Sequence, residues 1–301
     1  MSVAGSPAVT TRAGRPLLGG RRLSLDWLGT IPFLAYVAVF LFLPSAIIAV
    51  GAFLNVDTGS FTLDNFRNLS RSYIVTSTIN TTVWSALTAV VGASLGALLS
   101  YAIVTGNPRG ILRRMVVSAS GVLAQFGGVT LAFAFIASIG PGGLVYIFAQ
   151  AHGFDYYVNG IWLFELQGLA VVYLYFQIPL MVLVFLPALD GVRPQWREAT
   201  ESLGGTTWHY WRHVAGPLLF PAFLGCTLLL FANAFSAYAT ANALINQGNP
   251  MLSQQIGGAL SSETGVADPG FAKAIAVEMI VLVTLVTVLY SLLQRRTARW
   301  L

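Results

Sequence analysis

The sequence predicts an all-α membrane protein of six transmembrane helices with both termini cytoplasmic, and three observations predict it. Of 301 residues, 56% are hydrophobic and only 9% charged, with a mean hydropathy of +0.73, whereas a soluble domain carries about 25% charged residues. Six apolar stretches reach the roughly 20 residues that a helix needs to cross about 30 Å of hydrocarbon, without the short polar–apolar alternation of a membrane barrel. The cations also sort by side. If the N-terminus is inside, thirteen of the sixteen Lys and Arg residues fall in cytoplasmic segments, and only Arg67, Arg71 and Lys273 fall outside, as the positive-inside rule requires.

Residues 1–22, rich in Gly, Pro, Ser and Arg, read as a disordered cytoplasmic tail, and residues 23–301 as a single membrane domain. Arg21 and Arg22 ahead of an apolar run raise the alternative of a signal peptide, but the run over 27–53 is too long for an h-region and lacks a clear cleavage site, so a retained first helix is expected. The second span is placed at 79–104, the third at 115–139, the fourth at 161–189, the fifth at 218–240 and the sixth at 274–293. Cytoplasmic cations separate them in pairs: Arg109, Arg113 and Arg114, then Arg193, Arg197 and Arg212, then Arg295, Arg296 and Arg299. The net charge of +5 is thereby explained by an anionic leaflet of membrane lipid, and nucleic acid is unnecessary as a partner. Pro44, Pro179 and Pro187 mark expected kinks.

Local patterns that suggest enzymes do not survive their context. Gly92-Ala93-Ser94-Leu95-Gly96 spells G-x-S-x-G, yet a nucleophile elbow needs a strand–turn–helix setting. In the middle of a membrane helix the same residues read as G-x-x-x-G, a helix-packing contact. His209 and His213 are four apart but lack the Glu of a zincin and any further ligand, so no metal site is expected. Cys226 is the only cysteine, which leaves no internal disulfide. Lys273, the only lysine, follows Phe-Ala and precedes Ala, so no P-loop exists and any ATPase is a separate polypeptide.

Between the fourth and fifth spans lies a polar loop, residues 190–217, whose core with the start of the next span reads EATESLGGTTWHYWRHVAGPLLFP over 198–221. Pro194 suits a helix start, Trp196, Ala199 and Leu203 recur on one helical face, and Glu198 and Glu201 decorate the other. Gly204 and Gly205 end that helix and turn the chain into Trp208, Tyr210 and Trp211, which suit a bilayer interface. This stretch resembles the EAA loop of permease subunits in bacterial ABC importers. Glu198, Ala199, Gly204, Val214, Pro217 and Pro221 match its positions, while Thr200 stands for the second Ala, Gly205 for the following Ala, Trp211 for Phe and Gly216 for Leu. Asn80, the segment 63–66 and the run over 231–240 resemble the polyamine, iron and thiamine branch of that family.

The resemblance implies a type I ABC importer permease fold in a bacterial inner membrane, covering roughly residues 27–295. It implies as partners two ABC ATPases, which bind the ATP and Mg, a second permease subunit, identical or homologous, and an extracytoplasmic solute-binding protein. It implies no cofactor and no catalytic residue on this chain. It also makes Glu198, Ala199, Thr200, Glu201, Leu203, Gly204 and Gly205 the coupling helix and its turn. For the substrate pathway the candidates are polar residues expensive to keep inside a bilayer, Gln177, Asn233 and Glu278, with Tyr238 beside them in the fifth span. Each has an alternative: Glu278 near enough to the outer interface to reach water, Asn233 bonded to a neighbouring helix. Outside stand Asp57, Asp64, Asp155, Glu165, Glu263, Asp268 and Glu278 against three cations. A net acidic entrance concentrates cations, which favours a polyamine such as spermidine or putrescine. Ferric iron, thiamine, phosphonate or a sugar remain alternatives, as does an ion-coupled secondary transporter, for which no inverted repeat is visible.

Overall fold

The computed structural model describes residues 26–106, 110–158, 160–245, 250–261 and 267–297. The tail expected over 1–22 and residues Arg109, Glu263 and Arg299 lie outside them. The chain divides into two compact units, residues 1–46 and 47–301. The first holds α1 (Asp26–Val37), a π-turn (Ala38–Phe42) and the start of α2 (Leu43–Gly51). Pro44 lies two residues past the end of that π-turn. Lacking an N–H and crowding the preceding turn, a proline in a helix commonly goes with such a wide turn.

The second unit is helical throughout, and the described residues contain no strand beyond one isolated bridge, Leu54 with Phe61. Its elements are α3 (Asp64–Arg67), α4 (Ser72–Thr105), α5 (Ile111–Leu123), α6 (Gly128–Ile139), α7 (Leu144–Ala151), α8 (Leu166–Asp190), α9 (Pro194–Ser202), α10 (Thr207–Tyr210), α11 (Gly216–Ser236), α12 (Ala239–Leu244), α13 (Leu252–Leu260) and α14 (Pro269–Thr297). Six helical stretches among the described residues are long and apolar enough to cross a membrane.

The closest packing is between α4 and α8. Lipid tails are as apolar as leucine, so membrane helices associate through close backbone approach rather than by hiding apolar surface. Accordingly, α4 buries its small and hydroxylated residues, among them Ser77, Thr81, Ser85, Ala89, Gly92, Ala93, Gly96 and Ser100, and exposes Ile79, Val83, Val90 and Leu98. Three of the buried hydroxyls are satisfied within the helix, Ser77 donating to the Tyr73 carbonyl at 2.7 Å, Thr81 to Ser77 at 2.7 Å and Ser100 to Gly96 at 2.8 Å, while Ser85 Oγ is buried without a partner. A methyl on Gly96 would stand 2.5 Å from Met181 Cβ, and one on Gly92 2.9 Å from Gln177 Oε1. The G-x-x-x-G is thus the α4–α8 contact. Apolar residues then fill two clusters, one joining α4, α8, α11, α13 and α14 around Met181, Phe235, Leu252 and Ile275, the other joining α6, α8 and α12 around Leu131, Leu169, Tyr173 and Leu244.

Two spans depart from the sequence expectation. The third, expected as one helix over 115–139, is broken at 124–127, and its long apolar stretch is Gly128–Ala151, with a second break at residues 140–143. Gly127 is extended and Gly128 has φ +71°, a backbone that glycine adopts without strain. Gly140 precedes Pro141 and is extended, as the proline ring demands. The fifth, expected over 218–240, begins at Thr207 and stops at Ser236. The aromatic half of the loop is therefore the first part of the span.

Candidate coupling loop and translocation cavity

Helix α9 begins with Pro194 at its first position and buries none of its nine residues. Trp196 is 37% exposed and Leu203, just beyond its end, 89%. Isolated helices shorter than about 12–15 residues are marginal in water, so this one depends on its ends and on whatever covers its apolar face. The C-terminal end is a Schellman closure: the Gly205 N–H donates to the Thr200 carbonyl at 2.9 Å and the Gly204 N–H to that of Glu201 at 3.0 Å, with Gly204 at φ +76°. Glu198 and Ala199 are exposed, and Arg197 Nε donates to Glu201 Oε1 at 3.0 Å along the same face. That bond raises the already high pKa of Arg197, so its guanidinium stays charged at physiological pH.

Two of the residues that depart from the EAA pattern touch each other. A methyl on Gly205 would lie 2.7 Å from Thr200 Cγ2 and 2.9 Å from the Thr200 carbonyl oxygen. The threonine therefore occupies space that an alanine at 205 needs. Gly216 has a similar reason: a methyl there would strike the Trp211 carbonyl, because residues Trp211–Ala215 form a π-turn ahead of Pro217. The histidines serve local backbone. The Thr206 hydroxyl and His209 Nδ1 share a hydrogen bond of 2.8 Å, and the His213 ring sits 3.2 Å from the His209 carbonyl oxygen. Among the described residues no group of three metal-ligating side chains assembles.

Past the π-turn, the helix from Thr207 to Ser236 leads to a second feature. The chain breaks at Ala237 before α12, and this break faces the α5–α6 break across a cavity of about 240 Å³. Ala124, Gly127 and Gly128 line one wall, Asn233, Ala237, Tyr238, Ala239 and Thr240 another, and Phe176 of α8 the third. Non-helical backbone is tolerated at membrane depth only where protein buries it or it lines a cavity. Here the breaks are pinned by side chains: Thr240 Oγ1 donates to the Gly128 carbonyl at 3.2 Å, and the Tyr173 hydroxyl to the Ala237 carbonyl at 3.2 Å. Tyr238 packs over Gly257, where a methyl would stand 2.7 Å from its hydroxyl.

Of the four pathway candidates, Asn233 and Tyr238 meet at this cavity. Gln177 lies elsewhere, fully buried between α4 and α11, where its Nε2 donates long bonds to Thr88 Oγ1 at 3.4 Å and the Leu230 carbonyl at 3.5 Å. Glu278 is on α14 and accepts from Thr78 Oγ1 of α4 at 2.9 Å. Sequence reasoning missed Ala124, Gly127, Gly128, Phe176, Ala237, Ala239 and Thr240 as cavity residues. The adjacent glycines at 127 and 128 inside an apolar run were the one available signal.

Comparisons with known proteins agree with this architecture. Residues 130–299, more than half the chain, match the family model described as "Binding-protein-dependent transport system inner membrane component". The sulfate transport system permease protein CysT of Escherichia coli (strain K12) is 33% identical over 85 residues, 28% of this chain and 29% of that one. The thiamine transport system permease protein ThiP of the same organism is 28% identical over 81 residues, 27% of this chain and 15% of that one. The matched stretches thus span less than a third of either relative. Among solved structures, a bacterial ABC transporter involved in the import of the acidic polysaccharide alginate superposes with a TM-score of 0.72 at 18% identity, covering 90% of this chain and 95% of that one. The MetNI methionine ABC transporter, in an inward-facing conformation, gives 0.57 at 16% identity over 79% of this chain and 99% of that one. These likenesses show the fold. On the family match, the chain belongs to the binding-protein-dependent transport system inner membrane components, the permease subunits of ABC importers.

Proposed function

We propose that this permease couples ATP hydrolysis on partner subunits to alternating access of the cavity at the α5–α6 and α11–α12 breaks. The carrying observation is that α9, which buries nothing of its own, leads through one short turn into a helix that reaches the cavity wall, Thr207–Ser236. In this reading α9, with Glu198, Ala199, Thr200, Glu201 and Leu203, seats on a cytoplasmic ABC ATPase that binds the ATP and Mg. Gly204 and Gly205 set the angle of that seat. A second permease subunit, identical or homologous, completes the passage, and a solute-binding protein delivers substrate outside. A related alginate importer has been solved with its periplasmic protein bound, which supports that partner type.

For the substrate, the excess of acidic residues near the outer ends and the resemblance of the fifth span favour a polyamine. A second reading rests on the cavity itself. Its lining residues are all uncharged, so selection there would run through hydrogen bonds and stacking rather than ion pairing, which suits a neutral or oxyanion solute. Relatives that carry thiamine and sulfate names span both signs.

The test has two arms. In intact cells a single cysteine at His152 in a Cys226→Ser background is expected to react with an impermeant thiol reagent and one at Thr206 is not; labelling at 206 from outside would refute the inside–inside topology. In proteoliposomes holding the complete importer, labelled spermidine is expected to accumulate with ATP. Accumulation of sulfate or a sugar instead would transfer the assignment to the second reading.

A further inference from the structure

Among the described residues one ion pair joins separate helices: Arg113 Nη2 of α5 lies 2.6 Å from Asp190 Oδ2, the last residue of α8. The only other pair is local to α9. Asp190 stands at the root of the coupling loop, so Arg113 ties α5 to the point where the loop leaves the membrane helices.

Helix α5 packs on α8 along one side only. Of its thirteen residues only Ser120 is buried, with Ile111, Leu112, Met115 and Val122 all exposed, whereas α8 buries twelve of its own. Few buried contacts mean a low local cost of displacement, and a charge-assisted bond at the foot supplies a directional constraint that sparse packing does not. The other end of α5 leads straight into Ala124, Gly127 and Gly128 at the cavity, where Phe126 and Phe135 pack edge-on against Tyr175 of α8 at 6.5 and 5.6 Å. The cavity therefore has two walls with different links to the loop. Asn233 and Ala237 are reached by the helical stretch Thr207–Ser236, and the opposite wall by α5.

We infer that Arg113 and Asp190 are positioning residues that tie α5 to the root of the loop, so that both cavity walls move when the loop is driven. With side chains 23% and 42% exposed, the pair adds little to stability; its effect is on transmission. The inference rests on the cavity being the passage.

The experiment uses the complete importer with its ATPases in a Cys226→Ser background, with Ala124→Cys or Ala237→Cys as reporter. The rate of reaction with a methanethiosulfonate reagent is measured without nucleotide and after trapping with ATP and vanadate, and ATP hydrolysis verifies assembly. In the otherwise native chain both rates are expected to differ between the two states. Asp190→Asn is expected to shrink the difference at 124 by about two- to thirty-fold, the span seen when coupling networks are perturbed, and to leave that at 237. Exchanging the charges, Arg113→Asp with Asp190→Arg, is expected to restore it. If Asp190→Asn fails to assemble, Arg113→Gln gives the same reading. A native response at 124 in the single variant, or loss of both responses together, overturns the inference. No response at either position in the otherwise native chain overturns the passage reading, and the inference with it.

Discussion

The coupling loop and the cavity are built on opposite plans. The loop is contiguous in sequence, exposed, and specified by side chains at fixed spacing: Trp196, Glu198, Ala199 and Leu203 on α9, then Gly204. The cavity gathers residues from three distant stretches, and what defines it is interrupted backbone at 124–127 and at Ala237 rather than any signature side chain. On the function proposed, the surface that fits a separate protein is written locally. On the same reading, the passage is placed where helices are already broken and can move by small rearrangements at the breaks.

The largest test of this contrast is at Gly204. Nothing lies within 4 Å of a methyl there, so a substitution acts through φ +76° alone. Gly204→Val is expected to cost about 1–3 kcal/mol of backbone strain and to lower ATPase co-purification and uptake together, while Gly204→Asn, which tolerates that backbone, keeps most of both. Equal behaviour of the two variants would show that the turn geometry is not what the ATPase reads.

A smaller effect is expected at Gly205. Gly205→Ala pushes a methyl into Thr200 and should lower the melting temperature of the detergent-solubilised importer by an amount equivalent to about 1 kcal/mol, the low end for overpacking, since the site is only half-buried and can shift. Thr200→Ala with Gly205→Ala should recover part of it, because the γ-methyl is gone and the carbonyl remains. Strict additivity of the two substitutions would break the claim that these departures from the EAA pattern are matched.

The smallest effect belongs to the cavity. Asn233→Ala is expected to leave ATPase association unchanged and to raise the KM for uptake by the equivalent of about 0.5–1.5 kcal/mol, one hydrogen bond to solute. A loss of ATPase association in this variant would erase the division between the two regions.

Much of the loop was legible because each requirement has a residue type of its own: Pro194 for a helix start, Gly204 for a left-handed close, Trp196 and Leu203 for an exposed apolar face. The number of crossings was legible from length and apolarity alone. The limits of the third and fifth spans were not, because hydropathy averages over the features that set them. Trp208, Tyr210 and Trp211 look interfacial whether they lie beside a helix or inside one, and Gly127–Gly128 vanish in a window dominated by Leu, Val and Phe. Asn233 and Tyr238 were found as polar or amphipathic residues in an apolar span. Ala124 and Phe176 carry no such mark, since only the fold turns them toward the cavity.

The π-turn at Trp211–Ala215 bears on how such a chain changes over generations. A π-turn holds one residue more than an α-helix needs for the same rise, and each residue of an α-helix turns the chain by about 100°. Deleting one residue there would leave a continuous α-helix with α9 facing nearly as before relative to Asn233, whereas deleting one from the regular helix beyond it would swing α9 and its exposed tryptophan about 100° around the axis. The wide turn is thus a place where the chain can lose a residue without changing how α9 faces relative to the cavity wall, a tolerance that the regular helix beyond it lacks.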